Sequence, residues 1–334
     1  MRLRLLVILG SAVLALVAGA PASGYPWPVR PFDQQHPIRG NFGDPRMIFA
    51  EGFGTGGATG PGSFIFHNGI DVVAPDGTPV YPVLSGTVRL LNTQAVVETT
   101  DRDRTFQYWH IVPVIHDGQH VIARRTVLGY IRRGVGHVHL TEIRGSLVWN
   151  PLAADGIAPY RDTTDPVVRA VYIRRADTLK ILDPAAVCGR VQIVADAYDT
   201  HALAVPGPFA GYAVAPAVVK WSLSRANHTR RLAAASGRVD FRTTLPRRND
   251  FWSIYARGTY QNSPRFGPRQ YAMAGLFLYQ LTRHGLETRD LPNGIYRVTV
   301  RASDIQGNTG SLTQSFTVAN DPSSPTGCRT VSGP

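Results

Sequence analysis

Two short segments carry side chains that bind divalent metals: His67-Asn68-Gly69-Ile70-Asp71 and His137-Val138-His139. Imidazole nitrogen and carboxylate oxygen bind zinc at about 2.0–2.2 Å, and a catalytic zinc site keeps one position open for water. We take His67, Asp71 and His139 as the candidate ligands. The two segments together predict a divalent metal site.

The spacing of His67 and Asp71 restricts the backbone between them. A helix would place them on one face, but the central Asn-Gly and the following Val72–Pro75 do not favour a helix. In a straight strand, residues four apart lie about 13 Å from each other, too far for one ion. We therefore expect a bend at Gly69, with His67 at the end of a loop and Asp71 at the start of a strand.

His137 and His139 are two residues apart, so on a strand they point the same way, about 6–7 Å from each other. This separation suits a division of roles, with one imidazole on the metal and the other beside it, facing water or substrate. Each motif alone is weak evidence, because a chain with ten histidines produces such spacings by chance.

The surrounding segments strengthen the interpretation. They are, in order, Gly69 to Val80, Gly86-Thr87-Val88, Tyr108-Trp109-His110-Ile111, Leu128 to Ile131, His137 to Glu142, and Asn150-Pro151-Leu152. In this order, over residues 40–152, they resemble the LytM/lysostaphin-type zinc endopeptidases of peptidoglycan, peptidase family M23. The opening segment, residues 39–46, resembles the FG-x-R motif of the same family.

The resemblance implies a role for five residues. His67, Asp71 and His139 match the family's metal ligands, and His110 and His137 match its two catalytic histidines that do not bind the metal. The family's HLHFE becomes His-Val-His-Leu-Thr-Glu here, and the glycine-rich loop before it is short. Glu142 either orients a histidine or is an ordinary strand residue.

The implied activity is hydrolysis of peptide bonds in peptidoglycan cross-links by a water molecule that Zn²⁺ activates. One alternative is a non-catalytic relative that binds cell walls or activates other hydrolases. Another is a β protein whose histidines hold no metal. Arg132 and Arg133, just before the histidine pair, either bind a substrate carboxylate or lie in a solvated turn.

The N-terminus predicts secretion. A basic start, Met1–Arg4, precedes the apolar run Leu5–Ala20 and the small residues of Ala20-Pro21-Ala22, as in a signal peptide cut after Ala22, with an uncleaved anchor as the alternative. No later stretch is apolar enough to span a membrane. The net charge of +12 favours anionic wall polymers as partners. Secretion and the lack of a DNA-binding motif argue against nucleic acid.

Short strands and frequent turns predict an all-β fold in two parts. We expect a signal peptide over 1–22, a peptidase domain over 23–155, a linker over 156–187, an immunoglobulin-like β-sandwich over 188–320 and a disordered tail over 321–334. A monomer is expected.

Within the second part, residues 294–304 alternate apolar and polar side chains, as a half-buried strand does. A further strand is predicted over 251–260, whereas residues 273–286 fit a helix or a strand. Cys188 and Cys328 bracket this part and either form a disulfide or stay free.

Overall fold

The computed structural model describes residues 24–47, 64–91, 94–100, 103–226, 231–262, 274–283, 285–324 and 328. The predicted signal peptide and most of the predicted disordered tail lie outside these residues. What the sequence predicts for them stays a prediction.

The described chain is almost entirely β-structure, which confirms the all-β prediction. The first twelve strands are β1 (Pro45–Met47), β2 (Phe64–Phe66), β3 (Ile70–Val73), β4 (Pro79–Val80), β5 (Gly86–Leu91), β6 (Gln94–Thr99), β7 (Arg104–Trp109), β8 (Ile111–Pro113), β9 (His120–Val121), β10 (Gly129–Ile131), β11 (His137–Arg144) and β12 (Leu147–Trp149). The remaining strands are β13 (Val167–Arg175), β14 (Arg190–Tyr198), β15 (Val218–Arg225), β16 (Arg231–Asp240), β17 (Leu278–Gln280), β18 (Leu286–Glu287), β19 (Gly294–Ser303) and β20 (Thr309–Val318).

The first half is built on an antiparallel sheet in the order β12-β11-β7-β6-β5-β9, to which β3 is added beside β11. A small sheet, β4-β10-β8, packs with it around one apolar core that contains Phe106, Tyr108 and Leu140. Strand β11 is central, because β3 pairs with one of its edges and β7 with the other.

The second half contains two four-stranded antiparallel sheets, one made of β13, β14, β17 and β18 and the other in the order β16-β15-β19-β20. Their apolar faces share one core. In strand β19, for example, Tyr296, Val298, Val300 and Ala302 are buried in this core, and the residues between them face outward. This is the alternation that the sequence predicts. Strand β13 lies in the range predicted as linker and pairs with β14. The immunoglobulin-like assignment stays a prediction.

The β1-β2 hairpin belongs to the first half by sequence but packs into the core of the second. Phe42, Phe64 and Phe66 lie in the same buried cluster as the residues of β13 to β20. The Phe66 ring centroid is 5.1 Å from that of Phe251 and 5.8 Å from that of Phe241. The two halves are therefore joined through buried aromatic side chains.

The strand predicted over 251–260 is wrong at its start, where the structure has the four-residue helix α1 (Phe251–Ile254). The ring centroids of Phe251 and Trp252 lie 5.3 and 4.9 Å from that of Phe64. Successive strand residues point to opposite faces, so an extended backbone could not bring both rings to one partner. Within the described residues, turns of 3-10 helix lie at 207–209, 248–250 and 288–290. No described helix has the length and apolar character that crossing a bilayer requires.

Cys188 and Cys328 form a disulfide, with their Cα atoms 5.3 Å apart, which resolves the two alternatives in favour of the bridge. The bond closes a segment of 140 residues. It ties the end of the chain to the start of β14, next to the second core.

We expect Cys328→Ser to lower the free energy of unfolding by about 2–4 kcal/mol, because the bridge limits the freedom of a long loop in the unfolded chain. Urea unfolding followed by tryptophan fluorescence measures the change. The native protein with reductant should lose the same amount, whereas the variant should be insensitive to reductant. Equal midpoints for the oxidised native protein and the variant would show that the bridge contributes nothing to stability.

Candidate metal centre

Three side-chain atoms from two distant segments converge at one point. His67 Nε2 lies 3.1 Å from Asp71 Oδ1 and 2.9 Å from His139 Nδ1, and the last two atoms are 3.0 Å apart. All three side chains are buried. The structure thus brings together the three residues that the sequence selects as ligands.

The pairing of strands explains this convergence. Asp71 is the second residue of β3 and lies directly opposite His139 in the β3-β11 register. His67 directly follows β2, so three residues separate it from Asp71. Gly69 lies so close to β11 that a Cβ atom there would collide with the carbonyl of Leu140 and the His139 ring. The chain bends at Gly69, as expected. Its φ is not positive, so the glycine is needed for the close approach to β11 rather than for a left-handed backbone.

The outer ring nitrogens of the two histidines are held by polar partners. His67 Nδ1 lies 2.8 Å from the carbonyl oxygen of Asn41, and since a carbonyl only accepts, His67 donates from Nδ1. Its Nε2 therefore presents a lone pair to the centre. His139 Nε2 lies 2.8 Å from Thr141 Oγ1, which can accept its proton and leave the Nδ1 lone pair facing inward.

Three electron-rich atoms this close repel one another unless a cation lies between them. Ligands at about 2.0–2.1 Å around a tetrahedral zinc are separated by about 3.3–3.4 Å, a few tenths more than the distances here. The donor set, two imidazoles and one carboxylate, is one that zinc accepts. The geometry and chemistry of these three residues therefore fit a divalent cation.

The electrostatics of the site favour the protonation states that ligands need. Burial lowers the pKa of His67 to about 4, and the nearby Arg46 reinforces the effect. Burial opposes ionisation of Asp71, yet its neighbours His67 and His137 hold the pKa of this carboxyl well below its ordinary value. At neutral pH the imidazole is therefore neutral and the carboxylate ionised, as metal binding requires.

The two other predicted histidines lie beside the centre. The His137 Nε2 atom is 3.5 Å from Asp71 Oδ1, and the ring centroids of His110 and His137 are 4.7 Å apart. Burial lowers the pKa of His137 to about 3 and that of His110 to about 4, so both imidazoles are neutral near pH 7. The His137 Nδ1 atom donates to the Val135 carbonyl at 2.9 Å, which leaves a lone pair on Nε2.

His110 has a left-handed backbone, with φ of 67°, where β7 gives way to β8. This conformation is uncommon for a residue with a Cβ atom and costs on the order of 1 kcal/mol or more. Its carbonyl accepts a hydrogen bond from the Arg132 backbone amide at 2.9 Å, which fixes the bend. The bend ends β7 at the point where the His110 ring reaches the centre.

Two arginines surround Asp71, and neither was selected as a site residue from the sequence. Arg46 donates from Nη2 to Asp71 Oδ2 at 3.1 Å and from Nη1 to buried Asp44 at 3.2 Å. Arg39 donates from Nη2 to His137 Nε2 at 3.1 Å. The FG-x-R opening motif was the available signal for Arg46, whereas nothing in the sequence indicated that Arg39 contacts the second motif.

Thr141, not Glu142, contacts a histidine. Glu142 is fully buried, accepts from the Tyr25 hydroxyl at 2.7 Å and from Arg144 Nε at 2.7 Å, and so serves as a strand residue in an internal ion-pair group. Alternation along β11 explains the difference, because residues 139 and 141 share one face.

A cavity of about 300 Å³ opens on the centre. Asp71, His110 and His137 line it from the first half, and Phe209 and Asn262 line it from the second. Both halves of the chain thus form walls of the site. The expected peptidase domain does not enclose the cavity alone.

A second group of carboxylates lies away from the centre, between the two halves. Oxygen atoms of Asp162, Asp199 and Asp304 are within 4.8 Å of one another, and all three residues are buried. No ion pair to them is formed within the described part of the chain. Burial raises the pKa of Asp199 to about 8; a hydrogen bond from the Thr200 amide opposes the shift, and the two other carboxylates reinforce it.

Comparison with known proteins found distant structural similarity. The sequence matches no protein-family model and no curated protein. The catalytic domain of the antimicrobial peptidase lysostaphin from Staphylococcus simulans is 19% identical, covers 32% of this chain and 78% of its own, and has a TM-score of 0.24. A zinc containing peptidase from Vibrio cholerae is 23% identical, covers 36% of this chain and 37% of its own, and has a TM-score of 0.27.

Helicobacter pylori Csd3 is 18% identical, covers 42% of this chain and 36% of its own, and has a TM-score of 0.29. TM-scores this low carry no argument about function. The function of the site is therefore inferred from its own residues and geometry.

We expect the purified, metal-free protein to bind one equivalent of Zn²⁺ in calorimetric titration. His139→Ala and Asp71→Ala should each weaken binding about a hundredfold or more, because each removes one of three ligands. His116→Ala, at an exposed position outside the centre, is the matched control. Unchanged zinc affinity in both ligand variants would rule out this centre.

Asp199 should make stability fall as the pH rises. Its folded pKa of about 8 lies above the ordinary unfolded value of about 3.9, so the contribution is present at low pH and is lost as the pH approaches 8. Between about pH 5 and pH 8 we expect the free energy of unfolding to fall by on the order of a few kcal/mol. Asp199→Asn should show a shallower fall.

Urea unfolding at both pH values, in buffer with chelator, measures this dependence. Asp33→Asn, at an exposed carboxyl, should keep the native dependence. A native-like slope in Asp199→Asn would assign the effect to other groups.

Proposed function

We propose that this chain is a secreted zinc endopeptidase that hydrolyses peptide bonds of peptidoglycan cross-links. The observation that carries the proposal is the convergence of His67, Asp71 and His139 within about 3 Å, with two spare imidazoles, His110 and His137, on the same cavity. A purely structural histidine cluster does not require two more neutral imidazoles at the mouth of a cavity.

In this proposal His67, Asp71 and His139 hold the zinc. When bound, zinc polarises a substrate carbonyl and makes a water molecule more acidic. Arg46 holds the outer oxygen of Asp71, so that the inner oxygen stays directed at the two ligand histidines. Thr141 fixes the orientation of the His139 ring in the same way.

His137 is suited to accept the proton of the attacking water. Its Nδ1 atom is committed to the Val135 carbonyl, so the basic lone pair is on Nε2, at the edge of the centre. His110, whose ring is adjacent, is suited to hydrogen-bond the developing oxyanion, and the proton that His137 takes from the water can return to the leaving amine from this pair of rings. Both groups are neutral near pH 7, which a proton acceptor requires.

A non-catalytic wall-binding or hydrolase-activating role is the second candidate, and one observation favours it. Arg39 donates to His137 Nε2, so the lone pair that would accept a proton is occupied in this structure. A chain that only binds walls would have no need of a free base. The two roles differ in whether Arg39 leaves this position when substrate binds.

Secretion, a monomeric state and peptidoglycan as the partner are parts of the same proposal. The net charge of +12 supports the choice of partner, because it attracts anionic wall polymers over a distance of about a Debye length.

Zinc-loaded protein should release soluble peptide fragments from purified walls, and chelator should stop the release. His137→Ala should keep its bound zinc and lose about a hundredfold or more in hydrolysis, because it removes a proton acceptor but no ligand. Metal content and mass analysis of the released fragments are the two measurements.

His116→Ala should behave like the native protein in both. If the native, fully loaded protein pellets with walls and leaves them intact, the wall-binding role is correct and the endopeptidase proposal is wrong. If His137→Ala retains full activity, the role of this histidine is wrong.

A further inference from the structure

The Arg39 guanidinium lies between the candidate base and an aromatic ring of the second half. Its Nη2 atom donates to His137 Nε2 at 3.1 Å, and its Cζ atom lies 4.0 Å from the centroid of Phe209. Its Nε atom is 3.7 Å from Asp71 Oδ2. The side chain therefore bridges the metal centre and the 3-10 turn at 207–209.

Within the described residues, the ion pair of this guanidinium with Asp71 Oδ2 is long, at 3.7 Å. Its buried Nε atom has no hydrogen-bond acceptor in the described chain. Asp71 Oδ2, the nearest anionic oxygen, already accepts from Arg46 at 3.1 Å. A half-buried cation whose hydrogen bond within the described residues goes to a neutral ring gains much more from a carboxylate, which binds a guanidinium through paired, charge-assisted hydrogen bonds.

Arg39 also lies where a ligand can reach it. Together with Phe209 it forms part of the wall of two neighbouring cavities. One is the cavity at the metal centre, and the other, of about 380 Å³, is more apolar and is lined by Val205, Pro206 and Ala74 among others. The guanidinium thus lies in the wall that the two cavities share.

The described chain offers no free carboxylate of its own in either cavity. Asp71 directs Oδ1 to the metal centre, within 3.1 Å of His67 and His139, and its Oδ2 accepts from Arg46. Asp76, in the second cavity, accepts from the backbone amides of residues 134, 135 and 136 at 2.6–3.2 Å. Arg132 adds another positive charge to the lining of the first. The positive charges in the lining of the first cavity therefore favour an anionic group on the ligand.

We propose that Arg39 binds a carboxylate of the substrate, so that the preferred substrates are peptides with a free carboxylate next to the scissile bond. This inference rests on the proposed hydrolytic function and specifies its substrate class. Because the carboxylate draws the donors of Arg39 away, it also frees the lone pair of His137. Substrate recognition and release of the base are then one event.

The test compares matched peptides on the zinc-loaded, full-length protein. One pair is acetylated pentaglycine ending in a carboxylate or a carboxamide, with an alanine-containing pair of the same design. A second pair carries glutamate or glutamine beside the scissile bond, which distinguishes a terminal from a side-chain carboxylate. The native protein should prefer the acid in at least one pair, by about tenfold to a hundredfold in kcat/KM.

Arg39→Gln should bring the acid-to-amide ratio close to one, and Arg39→Lys should give an intermediate ratio because lysine keeps the charge but not the planar fork. Arg30→Gln is the matched control, since the Arg30 guanidinium also lies over aromatic rings, 5.4 Å from Phe32 and 5.2 Å from Tyr81, but outside both cavities. It should keep the native ratio.

Two results would overturn the inference: no preference for either acid by the native protein, or an equal loss on acid and amide in Arg39→Gln. The second would mean that Arg39 only supports the structure. If the native protein cleaves none of the peptides, the hydrolytic function fails by itself. Calorimetric binding of the same acid and amide peptides then decides the role of Arg39: tighter binding of the acid that Arg39→Gln abolishes supports it, and equal binding refutes it.

Discussion

The candidate centre depends on the mutual repulsion of three electron-rich atoms. His67 Nε2, Asp71 Oδ1 and His139 Nδ1 are held about 3 Å apart although each directs a lone pair at the others. Their outer partners, the Asn41 carbonyl and the Thr141 hydroxyl, prevent the rings from turning away. A fold that fixes such an arrangement stores electrostatic energy, and a cation in the middle turns that cost into stabilisation.

Two separate cores provide the rigidity that this arrangement needs. Asp71 and His139 are placed by the ladder between β3 and β11, whose other side chains pack in the first core. His67 directly follows β2, whose Phe64 and Phe66 are buried in the second. The centre therefore lies where the two halves meet, and the arrangement of its side chains depends on the packing of both halves.

The sequence predicted the all-β fold, because strand alternation and turn residues are local signals. It also selected all five histidine and aspartate positions, since motif spacing and family resemblance identify residues that share a site. It did not predict Arg39 at His137, or Phe209 in the cavity wall. These contacts join residues 98 and more positions apart and depend on how the halves pack, which no local pattern records.

The helix at 251–254 also depends on contacts that a local sequence pattern does not record. Its aromatic residues were read as a strand from β propensity, but two neighbouring rings both contact Phe64, which lies nearly two hundred positions earlier in the chain. For Gly69, the predicted position holds but the physical reason differs. The sequence predicts a bend at Gly69, and the structure has one, but a glycine is needed there because β11 lies too close for a Cβ atom.

The β1-β2 hairpin is buried in the core of the second half, and this restricts how such a chain can be recombined with other proteins. A peptidase unit that folded independently could be exchanged between proteins by cutting after its last strand. Here such a cut would expose Phe42, Phe64 and Phe66 to water and release the anchor of His67. Shuffling by gene fusion would therefore have to transfer both halves together, and they would be inherited as one unit.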